Sequence, residues 1–539
     1  QWFPASARDH HGAVGRYFEA AAAIVAVSIV TGVVMTVRAQ RRAEQRFLQV
    51  RKLANTFLFD FDAQIRDIAG TTQARELLVK TALEYLDSLA QDARGDATLE
   101  DEIATAYVRV GDVLGGLGIA NLGKRNESNN AYEKAIKIRE QRAQGKPTGS
   151  RERLDLAYAH GRILGIQPND QLMQICLGDA RAFVAAYPDV EAGYETLIDL
   201  LSKQSRREYR RSRMKPAIAA AREIIEIATA RRRQFPGDPA DVALAGGYTL
   251  LANPLSFTGQ LEESRDILMR SIDLREQLLA KSPANATWKR ALITEHVSLA
   301  RVFWAFGAFH LERPVECRDH LIRALALAEE LFARDPKNVL AEGDVYAVSS
   351  ALTDVLAGTD PPAAERHAVR AFNAAAAALA RSPNTSNEKA NFADALTLGV
   401  ITKYRNNPAE AIAVLERVLA IRWENANKRP EQAGLKYAIL HYYRLYASFL
   451  IKAGRRSDAA RAFAEGEKIA KLIDPDQTSL VYVAIAAMFY NDLAAFSGSC
   501  GAHGKEAAVW RSLAVRKVAL SFVMPRLAAS EKRAAACKR

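Results

Sequence analysis

The densest group of side chains suited to binding is a run of five arginines flanked by two lysines. The arginines are Arg206, Arg207, Arg210, Arg211 and Arg213, and the lysines are Lys203 and Lys215. On a helix, positions 206, 210 and 213 share one face, so this basic patch is suited to an acidic peptide or to anionic lipid headgroups. A solvated outer helix face is the alternative. Only Tyr209 could stack on a base there, so we do not expect nucleic-acid binding.

Two aromatic clusters lie further along the chain. The first is Phe303, Trp304, Phe306 and Phe309, and the second is Tyr437, Tyr442, Tyr443, Tyr446 and Phe449. We expect most of these rings to form the core between helices. A minority of the tyrosines, with Tyr442 and Tyr446 as the candidates, are expected to line a concave groove, where helical-repeat arrays bind extended peptides.

No residue pattern in the sequence indicates catalysis, a metal or a cofactor. The nine histidines are dispersed, and His310 and His320 bracket a turn without a spacing suited to a metal. No serine, cysteine or carboxylate set has a nucleophile-and-base arrangement. The four cysteines (Cys176, Cys317, Cys500 and Cys537) are far apart, which predicts buried thiols rather than a disulfide framework. We therefore expect a non-catalytic protein.

The positive charge of the chain is concentrated in two windows. Lysine and arginine together exceed the acidic residues by 12, and residues 38–52 and 203–215 contribute a net five and a net six of these charges. The remainder is nearly neutral, which excludes a general affinity for polyanions. The hydrophobic content of 49% is ordinary for a globular chain and excludes wholesale disorder.

A repeat predicts the elements that position these residues. Its best-formed copy runs from Tyr443 to Pro475, where apolar residues recur at three- and four-residue steps on both sides of a turn at Gly454. Small residues lie twelve positions apart, one on each predicted helix. The pairs are Ala447 and Ala459, Ala252 and Ser264, and Ala305 and Cys317. This pattern resembles the tetratricopeptide repeat.

Prolines provide a second measure of the same period. They are Pro188, Pro236, Pro283, Pro336, Pro383, Pro430 and Pro475, at gaps of 45 to 53 residues. The longest gap, between Pro283 and Pro336, equals the 53 residues from Ala252 to Ala305. Both patterns predict an all-α fold: an α-α superhelix of about nine tetratricopeptide-like helix pairs over residues 96–539, each burying its apolar face against its neighbours.

Residues 20–37 are predicted to cross a membrane. They are apolar or small and uncharged, just long enough to span a bilayer, and they follow a tail of residues 1–19. A buried alanine-rich helix and a cleaved signal peptide are the alternatives. Residues 38–95 are predicted to form a helical juxtamembrane segment, whose apolar positions either pair in a homodimer or pack on the next helix. Because the chain begins with Gln1, we expect a processed product or a fragment of a longer chain.

The residues after the apolar segment carry a family resemblance. The runs Arg41–Phe47, Val50–Phe59, Ala74–Leu78 and Ala82–Leu86, followed by Ala106–Asp112, Ala120–Gly123 and Ala131–Ala135, are the ones that match. They resemble the junction and first repeat of bacterial receptor-type serine/threonine protein kinases with C-terminal tetratricopeptide repeats, over roughly residues 20–142. The resemblance implies association with a kinase domain. It does not imply kinase activity, because this sequence has no glycine-rich phosphate loop, His-Arg-Asp loop or Asp-Phe-Gly site.

The sequence thus predicts a single-pass membrane protein with a repeat scaffold that binds a protein or peptide in a concave groove, as the sensor half of a kinase receptor. The side of the membrane stays open. Six basic residues after the span favour the cytoplasm by the positive-inside rule, whereas the family layout places the repeats outside. The alternative function is a soluble helical-repeat enzyme or regulator with a ligand pocket inside the superhelix.

Overall fold

The computed structural model describes most of the chain as two units, residues 1–64 and 65–539. The residues described are 31–38, 65, 67–92, 95–116, 121–165, 167, 169–211, 213–304, 309–383, 385–430, 432–474, 480–516 and 518–537. In the first unit, residues 31–38 are helical. The predicted membrane span at 20–37 lies outside the described residues before Thr31. The predicted juxtamembrane dimer helix lies outside them between residues 39 and 64.

Twenty α-helices follow one another in the described part of the second unit. They are α1 (Thr72–Asp92), α2 (Ala97–Gly115), α3 (Arg125–Ala143), α4 (Arg151–Leu164), α5 (Asp170–Ala186), α6 (Glu191–Arg210), α7 (Met214–Gln234), α8 (Asp238–Phe257), α9 (Leu261–Lys281), α10 (Ala286–Phe303), α11 (Pro314–Arg334), α12 (Val339–Leu356), α13 (Pro361–Arg381), α14 (Ser386–Ile401), α15 (Pro408–Lys428), α16 (Ala433–Lys452), α17 (Arg456–Ala470), α18 (Leu480–Ser497), α19 (Cys500–Val515) and α20 (Leu520–Ala536). From α2 to α19 they form nine antiparallel pairs.

Turn chemistry sets the boundaries of these helices. Six of the seven periodic prolines are in described residues, and each lies in the turn between one pair and the next, where its fixed φ and missing N–H stop a helix. Asparagine then starts several following helices. The side chains of Asn285 and Asn338, for example, accept hydrogen bonds from the first-turn amides of α10 and α12. The proline period therefore marks the turns that join one helix pair to the next.

Small residues let the two helices of a pair cross closely. Ser264 donates its hydroxyl to the carbonyl of Ala252 at 2.8 Å, across the twelve-residue spacing, and Ser205 does the same to Ala217 at 3.0 Å. Elsewhere glycine makes the room: a Cβ on Gly466 would lie 2.5 Å from the ring of Phe489. The predicted close contact between small residues is confirmed at Ala252 and Ser264.

One continuous core runs through most of the array, from Leu154 on α4 to Leu527 on α20. It is made of the apolar stripes that each helix turns towards its neighbours. From α4 to α20 the array therefore has one continuous core, and the prediction of an all-α superhelix of tetratricopeptide-like pairs is confirmed.

The winding brings both ends of the second unit onto its middle. At the start, the Asp67 carbonyl accepts a hydrogen bond from the amide of Ala286 at 2.7 Å, and its carboxylate accepts one from the hydroxyl of Thr287 at 2.6 Å. At the end, Arg526 on α20 donates to Glu312 at 3.1 Å in the α10–α11 connection. The array is thus held by contacts between residues more than 200 positions apart as well as by neighbouring pairs.

Two of the four cysteines behave as predicted and two do not. Cys176 and Cys317 are buried thiols, and burial raises the pKa of each to about 12. Cys500 and Cys537 form a disulfide, so the expectation of four unpaired cysteines is wrong. The reason is the antiparallel pairing of α19 and α20. It places Cys500, the first residue of α19, beside Cys537, which directly follows the last residue of α20.

Within the described residues, α18 is the helix that is long and apolar enough to cross a membrane, with half of it buried. It forms part of the core of the array, where Val483, Ala487 and Phe489 have no exposed surface. Its apolar character is explained by packing against α16 and α19.

Candidate functional site

The first helices of successive pairs form the inner wall of the superhelix. Residues of α8, α10, α12, α14 and α16 together line a cavity of about 550 Å³, which we call the inner cavity. One residue from α6, one from α18, and Trp304 and Phe309 from the α10–α11 connection complete its lining. Second helices of the pairs, such as α11, α13 and α15, contribute none of its lining residues and form the outer layer.

Asp354 on α12 is an unpaired acid in the wall of the inner cavity. It makes no hydrogen bond or ion pair with any residue that the structure describes. Burial, reinforced by the nearby Asp394, raises the pKa of Asp354 to about 7, although Arg301 acts in the opposite direction. Arg301 itself is exposed to the cavity and has no carboxylate within ion-pairing distance in the described chain. The cavity wall therefore carries a carboxyl group and a guanidinium group that are not paired with each other.

Asp394 on α14 is held by two donors. The hydroxyl of Tyr442 and the guanidinium of Arg422 both donate to its carboxylate. Arg422 also donates to the carbonyl of Ala390 at 3.0 Å and lies 5.0 Å from the centre of the Tyr442 ring. Despite these contacts, the Asp394 side chain is 45% exposed, so it still presents an oxygen surface to the cavity.

Neutral polar groups complete the wall. The side chains of Asn253 on α8 and Ser298 on α10 line the cavity, and neither makes a hydrogen bond within the described part of the chain. Asn253 offers both a donor and an acceptor, and Ser298 offers a hydroxyl. These are groups that a peptide backbone would satisfy.

The basic patch is not a single face. Arg206 and Arg210 lie on α6 as expected, and neither side chain has a carboxylate partner in the described chain. Arg206 lines a second cavity of about 370 Å³, together with Arg290 and Glu295. Partial desolvation in this cavity and the charges of Arg210 and Arg290 lower its pKa, although the side chain remains exposed to solvent.

Arg213 does not share the face of Arg206 and Arg210, and that prediction is wrong. Helix α6 ends at Arg210, so Arg213 lies in the turn before α7, where it donates to Glu208 at 2.8 Å. Arg207 and Arg211 also have a partner, since both bind Asp170. Arg207 and Arg211 thus hold the start of α5 and the end of α6 together, and Arg213 ties the turn before α7 to Glu208 on α6.

The two candidate tyrosines have different surroundings. Tyr442 lines the inner cavity, although its side chain is largely buried and its hydroxyl is occupied by Asp394. Tyr446 is not among the lining residues, and its hydroxyl donates to Glu416 on the outer helix α15 at 2.8 Å. In the first aromatic cluster, Trp304 and Phe309 line the cavity.

Sequence reasoning missed Asp354, Asp394 and Arg301. A signal for the first exists in α12, where Tyr346, Ser350 and Asp354 follow one another at four-residue steps and so form one polar stripe. This stripe faces the cavity.

Two histidines also meet in the array. The Nδ1 atoms of His296 on α10 and His320 on α11 lie 3.0 Å apart, a distance that suits a hydrogen bond between neutral rings. Burial, together with the charge of neighbouring His320 and Arg323, lowers the pKa of His296 to about 4. The described residues contain no group of three or more side chains suited to a metal.

Comparisons with known proteins give fold similarity alone. No family model and no curated protein matches the sequence. Similar solved structures include the apo form of RapI, with 13% identity, coverage of 78% of this chain and 98% of RapI, and a TM-score of 0.46. Another is the human IFIT1 dimer with m7Gppp-AAAA, with 11% identity, 90% and 94% coverage, and a TM-score of 0.44. Yeast Tom70 has 12% identity, 90% and 96% coverage, and a TM-score of 0.27.

Proposed function

We propose that this chain is a scaffold that binds an extended protein or peptide segment in the inner cavity. The observation that carries the proposal is the set of unsatisfied polar groups on its wall: Asp354, Arg301, Asn253 and Ser298. The fold uses none of these four side chains in a hydrogen bond or ion pair that the structure describes, so each is available to a ligand in the cavity. An extended peptide supplies a backbone donor and acceptor at every residue, so it matches a wall of mixed charge and amide groups.

The size of the inner cavity fits the same ligand. About 550 Å³ lies within the range of sites that bind small molecules or a few residues of a peptide. The wall is built from five successive inner helices, which makes it long enough to contact several residues of one segment.

The proposal includes a membrane tether and a kinase partner. The tether is supported by the 18 uncharged residues at 20–37. The kinase association is supported by the resemblance of residues 41–142 to the junction and first repeat of receptor-type kinases. In this arrangement the array is the non-catalytic sensor half, and ligand binding in the cavity is the signal that it receives.

Site-specific photo-crosslinking tests the binding site. A benzophenone amino acid at Leu445, in the cavity wall, is compared with one at Leu472, which is 50% exposed outside it. We expect a discrete crosslinked peptide or protein at position 445 that is lost when Asp354→Lys is added. Equal crosslinking at both positions, or none at position 445, would contradict binding in the cavity.

Two further measurements test the tether and the kinase association. We expect the chain in the membrane fraction, released by detergent and not by high salt; recovery in the soluble fraction would contradict the tether. We expect the gene to encode a kinase domain upstream of Gln1. An upstream reading frame without kinase motifs would remove the kinase association and leave the scaffold unaffected.

A further inference from the structure

Two carboxylates approach the inner cavity from neighbouring inner helices. Asp354 comes from α12 and Asp394 from α14, and they are close enough that the charge of Asp394 opposes ionisation of Asp354. Asp394 is neutralised on one side by Arg422 and Tyr442. Asp354 has no such donor in the described chain. Asp394 is therefore already ion-paired, whereas Asp354 is a carboxyl group that no donor of the described chain holds.

Among the other groups that face Asp354, Arg301 is a cation that acts on it from a distance, and none of the others makes an ion pair with it in the described chain. Arg301 on α10 favours its ionisation without contacting it, and the charge of Arg422 is committed to Asp394. Burial, together with nearby Arg444 and Arg422, lowers the pKa of His441 to about 3, so this ring is neutral at physiological pH. The remaining neighbours, Tyr209, Tyr346 and Tyr442 on the wall and Cys317 behind it, have raised pKa values and are neutral too.

The cavity wall is also aromatic. Tyr209, Phe257, Trp304, Phe309 and Tyr346 line it together with the two aspartates. Ring faces attract cations, and the alkyl stems of lysine and arginine pack well on such surfaces. The same combination occurs beside the cavity, since Arg422 binds Asp394 while its guanidinium lies 5.0 Å from the centre of the Tyr442 ring.

We propose that the inner cavity selects a peptide segment with a basic side chain, whose ammonium or guanidinium group binds between Asp354 and Asp394. The proposal rests on the proposed peptide-binding function and names its ligand class. A carboxylate or phosphate in the same place would lie against two aspartates, which disfavours an acidic ligand.

Proton release follows from this site. At pH 7 Asp354 is about half protonated, because its pKa is about 7. A cation bound beside it favours the ionised form and lowers this pKa, so binding releases protons near neutral pH. The affinity for a basic ligand therefore rises as the pH rises through 7 and falls as Asp354 is protonated below it.

Isothermal titration calorimetry on the full chain in detergent tests the proposal. The probes are acetylated and amidated pentapeptides Ala-Ala-X-Ala-Ala, where X is lysine, norleucine or glutamate. We expect the lysine peptide to bind about tenfold or more tightly than the norleucine peptide. We also expect its heat at pH 7 to differ between phosphate and Tris buffers, which have different ionisation enthalpies, because a proton is released.

Variants separate the site from the rest of the fold. Asp354→Asn keeps the shape of the side chain and is expected to remove both the preference for lysine and the buffer dependence. Arg301→Gln removes the competing cation but also raises the pKa of Asp354, so it is measured at about pH 9, where Asp354 is ionised. There it is expected to strengthen lysine-peptide binding several-fold, an increase that a damaged fold would not produce. Asp266→Asn, on the exposed face of the outer helix α9, is the matched control and is expected to change neither.

Each other outcome overturns a defined part of the account. Equal binding of the lysine and norleucine peptides would overturn cation selection while leaving peptide binding in place. Tighter binding of the glutamate peptide would overturn it in favour of an acidic ligand. No binding of any of the three peptides would overturn both this proposal and the function on which it rests.

Discussion

Replacement of Arg275 by methionine tests how the middle of the array is held together. Arg275 on α9 donates from Nε to Glu295 on α10 at 3.1 Å, and both side chains are buried, with 8% and 1% exposure. Glu295 also accepts hydrogen bonds from Ser271 at 2.9 Å and Thr249 at 3.1 Å. Arg275→Met keeps most of the side-chain volume but leaves a buried carboxylate without its counter-ion.

The expected cost follows from this burial. Removing one partner of a buried ion pair typically lowers the free energy of unfolding by about 3–5 kcal/mol. Burial already raises the pKa of Glu295 against the opposing effect of Arg275, and loss of Arg275 raises it further. A carboxyl group whose pKa is higher in the folded than in the unfolded state stabilises the folded protein at low pH. This stabilisation is lost as the pH rises through the folded-state pKa. Arg275→Met is therefore least stable, relative to the wild type, at high pH.

The assay is hydrogen–deuterium exchange of the α9 and α10 amides at pH 6 and pH 8, corrected for the intrinsic exchange rate. A local measurement is needed because repeat arrays open one region at a time. Arg265→Met, which removes an arginine whose one ion pair among the described residues is with the adjacent Asp266, is the control and is expected to cost less than about 1 kcal/mol. The double change of Arg275→Met with Glu295→Leu is expected to recover most of the loss.

Two results would refute this reasoning. One is a loss of protection in Arg275→Met no larger than in Arg265→Met at pH 8. The other is a double variant as unstable as the single one, which would mean that the cost comes from packing and not from the unpaired carboxylate.

Three further predictions concern packing and the chain ends. Gly466→Ala is expected to lower the free energy of unfolding by about 1–3 kcal/mol, because the new methyl group meets the buried ring of Phe489. Urea denaturation measures this loss. The control is Gly178→Ala, where a Cβ has open space and no loss is expected. Cys500→Ser removes a disulfide that joins residues 37 positions apart, and it is expected to destabilise α19 and α20 by at most about 4 kcal/mol. The measurement is faster hydrogen–deuterium exchange in these two helices, which dithiothreitol is expected to reproduce in the wild type. No change in exchange on reduction would contradict this prediction. Asp67→Ala is expected to speed exchange at the start of α10 and leave α16 unchanged, because the hydrogen bonds that the structure describes for Asp67 go to α10; equal effects on both would contradict it.

The fold was predictable because its signals are local. The proline period and the twelve-residue spacing of Ala252 and Ser264 each describe one turn or one pair, and units with the same pattern fold alike. Arg213 was misplaced because the end of α6 at Arg210 depends on where the next helix begins, which periodicity does not fix. The Cys500–Cys537 bond depends on the alignment of two antiparallel helices of similar length.

The inner cavity was not predictable in the same way. Asp354 lies in a visible polar stripe on α12, but such a stripe looks the same whether it faces bulk solvent or a cavity. Only the winding of the pairs decides that α8, α10, α12, α14 and α16 face one another. The approach of Asp354 to Asp394, 40 residues away, is a product of that winding and has no counterpart in the sequence pattern.

The most direct test of the account is to locate a bound peptide on the full chain. Hydrogen–deuterium exchange is measured with and without saturating lysine pentapeptide. The account predicts added protection in the inner helices α10, α12 and α14 and none in the outer helices α11, α13 and α15. Protection confined to the outer helices, or found equally in both layers, would contradict it.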